Sequence, residues 1–185
     1  MKIFTALAAM ACLASTASAH PDKVVREGEG EAVPTPFHPV FLLLSAEENE
    51  GGVTVYEFEV PPHSPGSPPH THSQEDEYFF VTSGELSVLS GSEVLTLQEG
   101  DFAALNRGNA HMFWNASDAP VRMIMMTTGG SFEQFMASVA PVLATASPAD
   151  AAEAGAVIGA LAAEHGITIS MEMMPAEAAA LYAPD

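Results

Sequence analysis

Residues 76–126 read as six short β-rich runs separated by turn residues, and this constrains the fold more than any other feature. The runs are "DEYFFVT", "ELSVL", "EVLTL", "DFAAL", "HMFWN" and "VRMIMM". Between them stand "SG", "SGS", "QEG", "NRGN" and "ASDAP". None of the breaks is long enough to hold a crossover helix, so βαβ units are excluded and an all-β sandwich or barrel is expected. "VTVYEFEV" at 53–60 extends the pattern upstream, with Thr54, Tyr56, Phe58 and Val60 on one face by period two. Residues 40–44 form a further apolar strand candidate, and "PPHSPGSPPH" at 61–70 suits neither a helix nor a central strand.

The pattern changes after Gly130. Apolar residues at 132, 135, 136, 139 and 143 have a helical period, which predicts a helix over 131–145. A second helix is expected over 148–165, with Ser147 as N-cap, Pro148 at its first position and Gly166 as its stop. "ITISMEMM" reads as a last short strand and 175–182 as a final helical turn or two. The expected division is a leader over 1–19, an arm and first strand over 20–52, a barrel core over 53–126 and a helical extension over 127–185.

The leader is read from Lys2, the apolar run Ile3 to Leu13, which is too short to span a bilayer, and the Ala17-Ser18-Ala19 cleavage pattern. Cleavage before His20 and a periplasmic or secreted location are expected. Cys12, the only cysteine, lies inside the leader, so the mature chain has no disulfide, thiolate ligand or cysteine nucleophile. The formal charge is −19, and loss of Lys2 makes it −19 − 1 = −20, with Lys23, Arg26, Arg107 and Arg122 as the remaining cations. Such a surface disfavours nucleic acid and anionic membranes as partners. No later run is long and apolar enough for a membrane span.

Two stretches carry candidate chemistry. In "PPHTHSQEDEYFFVTSG" His70 and His72 are two apart, so on a strand they share a face, and Glu77 begins the next run. In "GDFAALNRGNAHMFWN" a tight turn at Asn106-Arg107-Gly108 precedes His111. If the barrel brings these stretches together, three imidazoles and one carboxylate converge, a set suited to one divalent first-row ion with open positions. Glu75 and Asp76 read as solvated neighbours, His63 as a surface residue, and His38 and His165 as structural. Met112, Met123, Met125 and Met126 read as core packing, not as soft metal ligands. The aromatic residues on the ligand face are expected to wall an apolar pocket.

The same residues resemble the cupin superfamily. His70-x-His72, four residues, Glu77, six residues and Gly84 fit its first motif. Gly100, five residues, Asn106, Gly108, two residues, His111, three residues and Asn115 fit its second, with Asn106 in place of proline. The first motif's leading glycine falls at Ser64, with Gly66 two residues late. The likeness covers roughly residues 53–126. It implies a double-stranded β-helix, or jelly-roll barrel, with the C-terminal helices packed outside. It also implies one metal held by His70, His72, Glu77 and His111. The ion would be Fe, Mn, Ni, Co, Cu or Zn. The Asn115-Ala116-Ser117 sequon is explained by the motif's asparagine.

Within that superfamily the chain looks most like the quercetinase-like group. This implies a dioxygenase that acts on a flavonol-like or other enol or phenolic small molecule with dioxygen, with Glu77 as catalytic base. Two alternatives stand beside it. One is a metal-dependent oxidase or decarboxylase of a small carboxylate, as in oxalate-degrading and germin-like members. The other is a non-catalytic periplasmic metal- or ligand-binding protein. A homodimer formed through the strand at 40–44 is a further expectation.

Overall fold

The structure is a computed structural model and describes residues 20–182; the expected leader over 1–19, with Cys12, lies outside the described residues. In chain order the strands are β1 (Glu31–Ala32), β2 (Val40–Leu44), β3 (Val53–Val60), β4 (Ser64–Pro65), β5 (His70–His72) and β6 (Glu77–Ser83). They continue as β7 (Glu85–Ser90), β8 (Glu93–Gln98), β9 (Phe102–Leu105), β10 (His111–Asn115), β11 (Val121–Thr128) and β12 (Ile167–Ile169). The helices are α1 (Ser131–Ala146), α2 (Ala151–Glu164) and the single turn α3 (Ala176–Ala179). Among the described residues no helix is long and apolar enough to cross a membrane.

The strands form two six-stranded sheets. One runs β1-β2-β3-β11-β6-β9; the other runs β12-β5-β10-β7-β8, with β4 paired to β10. All the pairings are antiparallel. This is the expected double-stranded β-helix, with the C-terminal helices outside it. Alternation on β3 follows the sequence, since Thr54, Tyr56, Phe58 and Val60 are all buried. β11 alternates likewise, placing Val121, Met123 and Met125 in the core beside Phe79, Val81 and Phe113. Met123 and Met125 are therefore packing residues.

β10 departs from alternation, and all five of its residues are buried. Its inner face carries His111, Phe113 and Asn115. Its outer face carries Met112 and Trp114, covered with Leu89 by Ala178 and by Met174, Leu181 and Tyr182 of the C-terminal segment. A strand covered on both faces needs no polar positions, which is why "HMFWN" has so few. Asn115 is committed within the fold. Its Nδ2 donates to the carbonyls of Val60, Pro61 and Ala119 at 3.0, 3.0 and 2.8 Å, and its Oδ1 accepts from Ser117 N.

Two expectations about the fold change, and the facing of the aromatic residues is settled. The N-cap of α2 is Asp150, whose side chain accepts from Glu153 N. Ser147 is instead the left-handed C-cap of α1, because the turn between the helices takes up Ser147 to Ala149. The strand at 40–44 is not a free edge, since β3 pairs with one side and β1 covers the other at Phe41 and Leu42. Phe102 faces outward, stacked on Tyr78, while Phe58 and Phe113 face the interior.

Candidate metal centre

Strand pairing sets the site. β5 and β10 are neighbours, and His70 is registered directly opposite His111. His72 lies on the same face of β5, buried like His70. Glu77 is the first residue of β6 in the opposite sheet, so its carboxylate crosses the barrel to meet the imidazoles. Glu77 Oε2 lies 2.6 Å from His111 Nε2, 3.8 Å from His72 Nε2 and 3.9 Å from His70 Nε2. His70 Nε2 and His72 Nε2 are 3.1 Å apart.

These four residues form the expected group, with one ligand atom from each lying within 4.8 Å of the others. The outer ring nitrogens decide whether they suit a metal. His70 Nδ1 donates to Pro68 O at 2.8 Å and His111 Nδ1 donates to Asn109 O at 3.1 Å, because a carbonyl can only accept. Neutral rings fixed in that way present their Nε2 lone pairs to the centre, where the Glu77 carboxylate already stands. Lone pairs and a carboxylate at these separations suit a shared cation, a proton at the His111–Glu77 contact or a metal ion among all four. Ligand atoms about 2.1 Å from one ion sit within about 4.2 Å of each other, so the group has only to contract slightly. It can therefore hold a divalent ion.

Electrostatics agree at His70 and Glu77 and show what competes with a metal at His111. Burial pushes His70 down to about 3, and His111 adds to the effect. Burial alone would raise Glu77, but the hydrogen bond with His111 and the neighbouring imidazoles outweigh it and keep the carboxylate below its usual range. Burial opposes the upward shift of His111, but the contact with Glu77 prevails, so the metal-free site favours a proton between these two groups, which a metal ion would have to displace.

The His70 and Glu77 side chains border a cavity of about 90 Å³. Phe58, Phe113 and Met125 of the barrel form part of its wall, and Phe132, Phe135 and Ile158 of α1 and α2 roof it. Among the described residues no Lys or Arg lines it. Arg107 is held at the surface by Asp76, its Nε and Nη2 lying 3.0 and 2.8 Å from the two carboxylate oxygens. Arg122 points outward to Glu57 and Glu27.

One residue behaves otherwise than the sequence suggests, and a second takes a place that the sequence does not specify. Glu75 is buried, not solvated. Both its oxygens lie 2.9 Å from Phe132 N at the start of α1, and its Oε2 is 3.5 Å from His72 Nδ1. Asp76 is tied to Arg107, which anchors the turn before His111 to the segment before Glu77.

His38 is the second. It lines the cavity between Phe58 and Phe113, and neither ring nitrogen has a partner among the described residues. Burial lowers it from 6.5 to about 4. Between those values the unfolded chain binds a proton that the folded chain refuses, so acidification through this window destabilises the fold, by up to about 3 kcal/mol. His38→Leu should lose less stability than the parent from neutral pH down to about pH 4, read as urea midpoints. It should also match or exceed the parent at neutral pH, because two unpartnered nitrogens are gone. Equal acid sensitivity in the two proteins would contradict this account. His63 is exposed, as expected, and meets Asp118. His165 ends α2 against Phe135, also as expected.

Comparison with known proteins gives the same fold. Residues 56–127 match the family model described as "Cupin domain". A sugar phosphate isomerase from a cupin superfamily, from Silicibacter pomeroyi, is 28% identical, with a TM-score of 0.46 over 50% of this chain and 59% of that one. A predicted oxalate decarboxylase from Thermotoga maritima is 18% identical, with a TM-score of 0.53 over 57% of this chain and 97% of that one. The polyketide cyclase RemF from Streptomyces resistomycificus is 18% identical, with a TM-score of 0.50 over 58% and 79%. At such identities the last two show the fold alone. No curated protein matches the chain.

Proposed function

We propose that this chain, whose residues 56–127 match the cupin domain model, is a metal-dependent dioxygenase of the quercetinase-like kind acting on an enol or phenolic small molecule. The observation that carries the reading is a three-histidine, one-carboxylate group that borders an apolar cavity without a cation in its wall. His70, His72, Glu77 and His111 would hold the ion. Once bound, a divalent ion of this type makes a hydroxyl more acidic and lets an enolate and dioxygen react in one place.

The chain's own residues supply the rest. The Glu77 carboxylate, held ionised within the site, accepts the substrate's hydroxyl proton. Phe58, Phe113 and Phe132 hold an aromatic body and exclude water. The cavity, about 90 Å³, favours a single ring over a three-ring flavonol unless the α1–α2 roof yields. A small carboxylate substrate is disfavoured, because it needs a cationic clamp and both nearby arginines are engaged at the surface.

Oxygen uptake by natively purified protein of known metal content, against a panel of enols, catechols, flavonols and oxalate, tests the proposal. Uptake with a phenolic or enol substrate is the expected result. Carbon dioxide release from oxalate, or metal binding with no turnover across the panel, would replace this reading with one of its two alternatives.

A further inference from the structure

Glu75 is a fully buried carboxylate that the proposed chemistry leaves unused. Its one hydrogen-bond donor among the described residues is Phe132 N, 2.9 Å from both oxygens. One backbone N–H is thin compensation for a buried charge. The neighbouring polar atom is His72 Nδ1, 3.5 Å from Oε2, which is itself buried and without a hydrogen-bond partner. Each group lacks what the other offers. His70 and His111 have carbonyls to fix their outer nitrogens, whereas among the described residues His72 Nδ1 has no hydrogen-bond partner and faces this carboxylate.

For His72 to turn an Nε2 lone pair to the centre, its proton must sit on Nδ1, facing Glu75. We propose that Glu75 is the positioning residue for His72, and that it joins the metal centre to the roof of the cavity by accepting from the ligand's ring on one side and from the first turn of α1 on the other. The inference rests on the reading that the four-residue group holds a metal.

The geometry makes this a coupling and not only a cap. Phe132, whose N–H Glu75 accepts, lines the cavity, and its ring packs edge-on to His72 at 5.5 Å. A shift of His72 on metal binding is therefore felt by the residue that begins the roof. The helix also has a second, separate anchor. Glu133 accepts from Ser45 Oγ at 2.6 Å, Ala46 N at 2.9 Å and Thr54 Oγ1 at 2.7 Å, which ties α1 to the β2–β3 side of the barrel. Loosening α1 and releasing His72 can thus be separated by mutation.

The test uses zinc as the probe, on full-length mature protein. Zinc affinity is measured by competition with a chromogenic chelator. Amide hydrogen exchange over residues 132–136 is measured with and without zinc. In the parent, zinc should slow exchange there about tenfold or more, since sites that share a residue are coupled reciprocally. Glu75→Gln keeps the size and one acceptor but loses the charge. It should lower zinc affinity roughly 10- to 100-fold and abolish the zinc-dependent protection. Glu133→Gln loosens α1 from the other side and should keep both the affinity and the protection change. Parent-like affinity in Glu75→Gln would overturn the inference, as would equal losses in both variants, which would mean general helix loosening. A parent protein that binds no zinc, cobalt or iron would instead remove the metal reading itself, and this inference with it.

Discussion

His111→Ala is expected to lose most of its metal and all turnover. His111 stands opposite His70 on the neighbouring strand and makes the shortest contact in the site, 2.6 Å to Glu77. Alanine removes one of four donors and takes from the buried carboxylate its nearest partner. Breaking a buried charged pair by deleting one member costs about 3–5 kcal/mol, so the metal-stripped variant should also unfold more easily than the stripped parent. Glu77→Gln separates two roles. If Glu77 acts mainly as a proton acceptor, the variant keeps metal and loses activity; if it acts mainly as a ligand, it loses both. His63→Ala, at an exposed pair with Asp118, should change neither. Metal per chain, measured by elemental analysis beside activity, decides among these outcomes. Full occupancy in His111→Ala would refute the four-residue site.

The four-residue group was legible because it depends on local rules. Two histidines two apart on a strand share a face, and the strand-and-turn punctuation from 76 to 126 brings β5, β6 and β10 around one interior. Glu75 was not legible, for a physical reason. Alternation predicts a solvated side chain only on a strand, and residues 73–76 lie in the bend between β5 and β6. The burial of Glu75 is set by the first turn of α1, 57 residues later in the chain. A carboxylate without a nearby cation in sequence gives no sign that a helix N-terminus will cover it. His38 was hidden similarly. It lies in a proline-rich segment without period, and its place in the cavity wall depends on Phe58 and Phe113 from two other strands. The helices themselves were legible from their apolar period. The cap of α2 was not, because Ser147 and Asp150 are both good capping residues and only the path of the chain between the helices chooses Asp150.

Gly66→Ala should be among the most destabilising conservative changes in the chain, and the reason is packing. The resemblance places a glycine at 64, and the sequence has one at 66. Gly66 lies so close to β10 that a Cβ there would overlap both the ring and the carbonyl oxygen of Phe113. The next residue bonds the same strand, with Ser67 N donating to Phe113 O at 3.2 Å. The Phe113 ring cannot retreat easily, because it packs edge-on against Phe79 at 5.5 Å and Phe58 at 6.0 Å. The methyl group must therefore displace backbone two residues from His111. Overpacking of this kind costs about 3 kcal/mol, and a domain of this size loses roughly 2–4 °C of Tm per kcal/mol, so a fall of roughly 10 °C is expected. The same substitution at Gly155, exposed on α2 where an added Cβ meets nothing, should instead stabilise by up to about 1 kcal/mol through helix propensity. Paired melting curves of the two variants test the close approach directly. A Gly66→Ala protein that melts within a degree or two of the parent would mean that the 61–70 segment does not lie against β10 as described, and the placement of His70 opposite His111 would have to be redrawn with it.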